Sequence, residues 1–245
     1  IPQSPLLKPT WSLHLLSDGS PGAIAPPHSI HRSNSNTNLP RRLVDFFCVI
    51  GTTKTVEKDS LRASHVQLHA NILDCYPASP RTDDGMLLPQ ELSRFVFPSG
   101  CRPSAQQKSP TVFTFVLTSG LGVKMYGCAL QVYDEQLNME QIMDMVRDAG
   151  YEGSLSPFLS NSSNRNAVPP NLHLPKCLVL LSHFPFYNVF RKFLCQLYQV
   201  SLNSSPIPLE RYISNFVSEV PLPPHGKVEI KVDYLNQKKD IISIS

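Results

Sequence analysis

The sequence predicts an α+β fold, mostly antiparallel in its first half. Three observations predict it. Short runs rich in β-formers come first, and two of them are joined by a glycine-bearing hairpin loop, Thr118-Ser-Gly-Leu-Gly122. An amphipathic helix follows directly on the second of these runs. After a polar loop, the order strand, helix, helix, strand completes the described pattern.

Each element has its own signal. Residues 1–40 are rich in Ser, Pro, His and Asn and read as a disordered leader, with Trp11 and Leu13 the candidates for local docking. LVDFFCVIG, from Leu43 to Gly51, is a buried strand closed by glycine, and a polar loop is expected after it. Val66, Leu68, Ala70 and Ile72 alternate in a second strand over 65–76. LLPQELSRFVFPSG gives a helical turn after Pro89, then a brief strand stopped by Pro98 and Gly100. TVFTFVL and 123–133 are the hairpin strands. Asn138 with Gln141 forms a capping box for a helix to Asp148, with Met139, Ile142, Met143 and Val146 on its apolar face and Gly150 as its stop. Residues 152–174 read as a linker or insertion. Cys177–Ser182 is a strand. Phe190, Phe193, Leu194 and Leu197 follow helical spacing, with Arg191, Lys192, Gln196 and Gln199 opposite. Pro206 and Pro208 break the chain before a second helix, whose stripe is Leu209, Tyr212, Ile213, Phe216, Val217 and Val220. Val228, Ile230, Val232 and Tyr234 alternate as a last strand.

The composition narrows the function. A formal charge of +3, with scattered basic residues, gives no nucleic-acid footprint. The six cysteines lie far apart and mostly inside apolar runs, so they read as reduced buried thiols of a cytosolic protein and not as a zinc site. No run has the length of a membrane span and the start carries no signal peptide, so Asn161 and Asn203 are discounted as glycosylation acceptors. The chain begins at Ile1 and ends at IISIS, which suggests a fragment.

A search for chemistry finds no site. Gly120-Leu-Gly122 lacks the third glycine and the helix of a dinucleotide loop. Gly51-Thr-Thr-Lys-Thr55 lacks phosphate-loop spacing. Ser182 and His183 are adjacent on a strand, so their side chains point to opposite faces. His65 and His69 share a face but are too far apart to chelate, and Asp83-Asp84 lacks a third donor. No catalytic, cofactor-binding or metal-ligating residue is assigned, and no cofactor is expected.

Five segments, in order, resemble the DENN-domain proteins: LVDFFCVIG, LPQELSRFVFPSG, TVFTFVLTSGLGVKMYGCALQVY, PKCLVLLSHFPFYNVFRKFLCQLYQ and PIPLERYISNFVSEVPLPPHGKVEIKV. The resemblance implies a longin-like antiparallel sheet with helices over 41–151, the upstream DENN region. It implies the beginning of an α/β central DENN module over 175–245, cut short relative to the family. It implies guanine-nucleotide exchange on a Rab-family small GTPase, GDP-bound or nucleotide-free, in vesicle traffic; the alternative is a non-exchanging DENN-like scaffold that binds a small GTPase or signalling partner. Such a protein is expected in the cytoplasm or peripherally on vesicle or endosomal membranes, attached only through partners. The candidate partner-binding residues are Phe184, Pro185, Phe186, Tyr187 and Asn188 at a strand-to-helix turn, with Arg211 and Asn215 on the polar face of the second helix.

Overall fold

The computed structural model describes residues 11–15, 42–56, 67–78, 87–119, 122–148, 171–203, 205–222, 228–232 and 240–244. Its elements are β1 (Trp11–Leu15), β2 (Phe46–Val56), β3 (Leu68–Tyr76), α1 (Leu92–Val96), β4 (Thr111–Thr118), β5 (Lys124–Asn138), α2 (Met139–Asp148), β6 (Asn171–Ser182), α3 (Tyr187–Leu202), α4 (Leu209–Glu219), β7 (Val228–Val232) and β8 (Asp240–Ile244). This is an α+β fold built on a five-stranded antiparallel sheet of order β3-β2-β6-β5-β4, a layout consistent with a longin-like upstream region.

Alternation along the strands gives this sheet two apolar faces, each covered by helices. One face presents Phe47, Leu180, Cys128, Leu130 and Val132 to α3 and α4. The other presents Phe46, Cys48, Ile50, Ala129, Val179 and Leu181 to Leu92 and Val96 of α1 and to Ile142 of α2. β2 is the clearest case: Phe46 and Phe47 are both buried because they serve opposite layers. The α3 stripe expected for the C-terminal half is buried, and so is the α4 stripe apart from Leu209 and Ile213, which are half-buried. They meet where the rings of Phe193 and Phe216 stack at 3.8 Å between centroids and 8° between planes.

The sheet does not follow the expected break between an upstream and a central region. β6 opens the expected central region, yet it pairs with β2 on one side and β5 on the other. It also begins at Asn171, inside the segment expected to be a linker. Pro175 lies within this strand. Lacking an N–H, it argues against a ladder, but it falls where the β5–β6 register slips between Val132 and Glu135 and beyond the last β2 partner, Cys177.

Several other expectations change. Trp11–Leu15, placed in a disordered leader, is a strand antiparallel to β7; β7 and β8 complete a separate three-stranded sheet of order β1-β7-β8. Five extended residues carrying Trp and two Leu suffice once a partner strand supplies the ladder. β2 continues to Val56 through the expected polar loop, because β3 pairs with it as far as Leu68. Phe95–Phe97 ends a helix and does not form a strand: Phe97 donates to the carbonyl of Ser93 at 2.8 Å and a turn follows. The capping box forms as expected, Gln141 N–H to Asn138 Oδ1 at 2.8 Å and Asn138 N–H to Gln141 Oε1 at 3.1 Å. The stripe of α2 is rotated from expectation, since Met143 is 41% exposed and Met145 packs inward beside Ile142. His65, Asp83, Asp84, Gly150, Asn161 and Tyr234, and the remainder of the leader and linker, lie outside the described residues.

Gly127 faces Phe115 directly across β4 and β5, and a Cβ at this position would clash with the outer edge of the Phe115 ring. Gly127→Ala therefore costs about 1–3 kcal/mol of unfolding free energy by overpacking. Chemical denaturation of Gly127→Ala, Phe115→Leu and the double variant checks this: the double variant loses less than the sum of the singles.

Candidate functional site

The candidate surface is the turn from β6 into α3. Its position is fixed by a buried polar node at the junction of β2, β6 and α4. The Asp45 N–H donates to the carbonyl of Leu181 at 2.9 Å. Asp45 Oδ2 accepts twice from His183, from the backbone N–H at 3.0 Å and from Nδ1 at 2.7 Å, which sets the Nδ1–H tautomer. These side chains are only 6% and 5% exposed. Ser182, fully buried, donates its hydroxyl to the carbonyl of Leu43 at 2.7 Å and accepts the N–H of Phe184 at 3.0 Å. Leu43 in turn donates its N–H to the carbonyl of Val220, past the end of α4, at 3.2 Å.

The node fixes what the turn can do. The Ser182 hydroxyl is inside the protein and engaged on both sides, so it is not a presented nucleophile. His183 is held by Asp45 through Nδ1, and its Nε2 is buried without a partner atom. Ser182 and His183 each bond to the β2 segment and make no mutual hydrogen bond. Among the described residues, no group of three His, Cys, Asp or Glu side chains could hold a metal ion.

From this base the turn presents aromatic and polar groups. Phe184 and Phe186 are half-buried, with ring centroids 6.1 Å apart. Pro185 and Asn188 are exposed. Tyr187 is half-buried and meets Tyr126 of β5 edge to face at 6.1 Å; burial, with Tyr126 and Cys128 nearby, pushes its phenol above the usual value. No side chain caps α3. The carbonyls of Phe184 and Pro185 accept the N–H groups of Phe186 and Tyr187 instead, at 3.0 and 2.9 Å. The result is a turn closed by its own backbone, with three half-buried aromatic rings.

The two expected residues of α4 separate. Arg211 is half-buried on the first turn of the helix. Asn215 is 1% exposed, so it does not lie on a polar, solvent-facing side. It lies three residues beyond Tyr212 and next to Phe216, which carries it under the helix. Its amide nitrogen is placed to donate to the carbonyl of Arg211 and to Glu219 Oε1, each at 3.3 Å. Asn215 thus serves the helix interior. Among the described residues, no hydrogen bond, ion pair or ring contact joins the turn at 184–188 to Arg211 or Asn215.

Sequence reasoning found the turn and missed the node. Asp45 and His183 lie 138 residues apart, and neither belongs to a short-range motif. The available signal was an acidic residue at the mouth of an otherwise apolar strand, a position that calls for a buried partner.

In comparison with known proteins, residues 70–132 match the family model of the uDENN domain, and residues 173–244 match that of the DENN (AEX-3) domain. The two matches together cover more than half of the chain. The first takes in β3 through most of β5, and the second runs from β6 to β8. Among curated proteins the chain is similar to the DENN domain and WD repeat-containing protein SCD1 of Arabidopsis thaliana, with 29% identity over 154 residues. That match covers 62% of this chain and 11% of the relative, so the chain spans a small part of that protein's length. No solved structure matches.

Asp45→Ala removes the one oxygen that accepts from both N–H groups of His183. Leaving such buried donors without an acceptor costs about 1–3 kcal/mol each. Hydrogen exchange on the intact chain should show faster exchange at His183, while Phe184, held by Ser182, keeps more of its protection. Unchanged exchange at His183 would contradict the assigned role of Asp45.

Proposed function

Since the chain belongs to the DENN-domain proteins, we propose that it is part of a guanine-nucleotide exchange factor that promotes GDP release from a Rab-family small GTPase in membrane traffic. The observation that carries this reading is the pair of family matches in sequence order, with the candidate turn at the start of the second. DENN domains typically act as Rab exchange modules. The site geometry is compatible with that work, which asks for a preformed surface and not for a nucleophile or a metal.

The reaction requires no bond to be made by the exchange factor. GDP leaves faster when the factor binds the nucleotide-free GTPase more tightly than the GDP-bound form, because only differential affinity shifts such an equilibrium. A rigid contact surface serves this well, since little conformational freedom is lost on binding. Phe184, Phe186 and Tyr187 supply aromatic area at a fixed angle, and Pro185 and Asn188 lie at the exposed edge. Arg211 is a separate candidate contact on α4. Asn215 supports the helix that carries Arg211. The partner is a Rab-family GTPase; binding to it places the protein on a vesicle or endosomal membrane peripherally. Among the described residues no helix is long and apolar enough to cross a membrane.

The test is release of fluorescent GDP from a panel of purified Rab GTPases in the presence of the intact chain. At least one Rab should show accelerated release, and Tyr187→Ala, assayed at a temperature where it remains folded, should lower that acceleration about tenfold, equal to about 1.4 kcal/mol. Binding of a Rab in both nucleotide states without acceleration would favour the scaffold alternative. No acceleration across the whole panel would overturn exchange by this chain.

A further inference from the structure

We propose that Cys48 and Cys75 form an oxidation site, a dithiol that closes to a reversible disulfide between β2 and β3. The two residues are direct partners in the antiparallel ladder, and their sulfurs are 3.5 Å apart. Both point to the face covered by α1 and α2, Cys48 buried and Cys75 partly exposed. The sequence gives no hint of the pairing, because 27 residues separate the two and only the strand register brings them opposite. A disulfide needs its Cα atoms within reach and its Cβ vectors converging, and same-face residues in direct cross-strand register meet both demands.

The pair is chemically asymmetric. Cys48 donates its S–H to Cys75, which holds the Cys75 thiol below its ordinary value despite partial burial and the neighbouring Asp74. Cys48, as donor and as the more buried partner, is pushed up. Cys75, the partly exposed member, is the one a peroxide can reach, and the buried Cys48 is placed to resolve it. Two other thiols contrast with this arrangement: burial pushes Cys128 up to about 12 and Cys177 higher still.

The oxidant is a hydroperoxide such as hydrogen peroxide. The Cys75 thiolate attacks one peroxide oxygen; an S–O bond forms, the O–O bond breaks, and hydroxide leaves and is protonated to water. Cys48 then attacks the sulfenic sulfur. The S–S bond forms, the S–O bond breaks, and the departing hydroxide takes the Cys48 proton as a second water. The two sulfurs lose two electrons in total and the peroxide gains two. A dithiol reductant reverses the change by thiol exchange. The covalent tie would fix the end of β3, where the hydroxyl of Tyr76 meets that of Ser218 on α4 at 3.0 Å.

The proposal is independent of any GTPase activity. The intact chain is treated with hydrogen peroxide, its remaining thiols are alkylated, and the non-reduced digest is read by mass spectrometry. Two of the six thiols should be lost, as a peptide pair linked through Cys48 and Cys75 that dithiothreitol separates. Cys48→Ala should leave a sulfenic acid on Cys75 that dimedone captures. Recovery of Cys48 and Cys75 as alkylated thiols in the unmutated chain overturns the proposal, whether or not other cysteines oxidise. Because that measurement uses no variant, it stands even where Cys48→Ala folds poorly.

Discussion

The contact between Asp45 and His183 joins the two halves of the chain at the point where the candidate surface begins. A carboxylate at the mouth of a buried strand is costly unless its oxygens are satisfied, and here one oxygen accepts from both the backbone and the ring of His183. The demand of that single buried charge fixes the register of β6 against β2 at its last rung. It also sets the direction in which the chain leaves the sheet. Ser182 reinforces the exit by bonding back to Leu43 and forward to Phe184. The aromatic turn is therefore an extension of the sheet and not a free loop.

The same logic explains how two regions matched by separate family models become one packing unit. β6 lies at the centre of the sheet, and its neighbours β2 and β5 both precede it by a long stretch of chain. Its alternating residues feed both layers, Leu180 toward α3 and α4, and Val179 and Leu181 toward α1 and α2. Neither layer can be completed without it. Buried apolar area at roughly 25 cal/mol per Å² is the main driving term, and the stacked Phe193 and Phe216 rings add directional packing between α3 and α4. Near the candidate surface the side chains of Asp45 and Ser182 hold backbone and the His183 ring bonds to Asp45, and the exposed groups of the turn are Pro185 and Asn188 beside half-buried rings.

Much of this was legible in the sequence because it depends on local period. The stripes of α3 and α4, the capping box at Asn138, the hairpin around Gly122 and the turn at 184–188 all follow from neighbours within a few residues. What was not legible depends on distant partners. Trp11–Leu15 becomes a strand only because β7 offers it an edge. Asn171–Leu174 joins the ladder despite Pro175 because β5 accommodates the slip. Asn215 reads as a polar-face residue until Tyr212 and Phe216 are seen to carry it inward. Asp45 shows its role only when His183 arrives from the other end of the chain, and Cys48 meets Cys75 only through register.

The central claim is that the turn held by Asp45 is the surface a Rab GTPase meets. Hydrogen exchange on the intact chain, with and without an excess of nucleotide-free Rab, tests it most directly. The account predicts new protection at Phe184 and at Phe186, Tyr187 and Asn188, and weaker protection around Arg211, with β3 and the β4 edge unchanged. Protection confined to the β4 edge or to β3, with the turn exchanging as in the free chain, would contradict it.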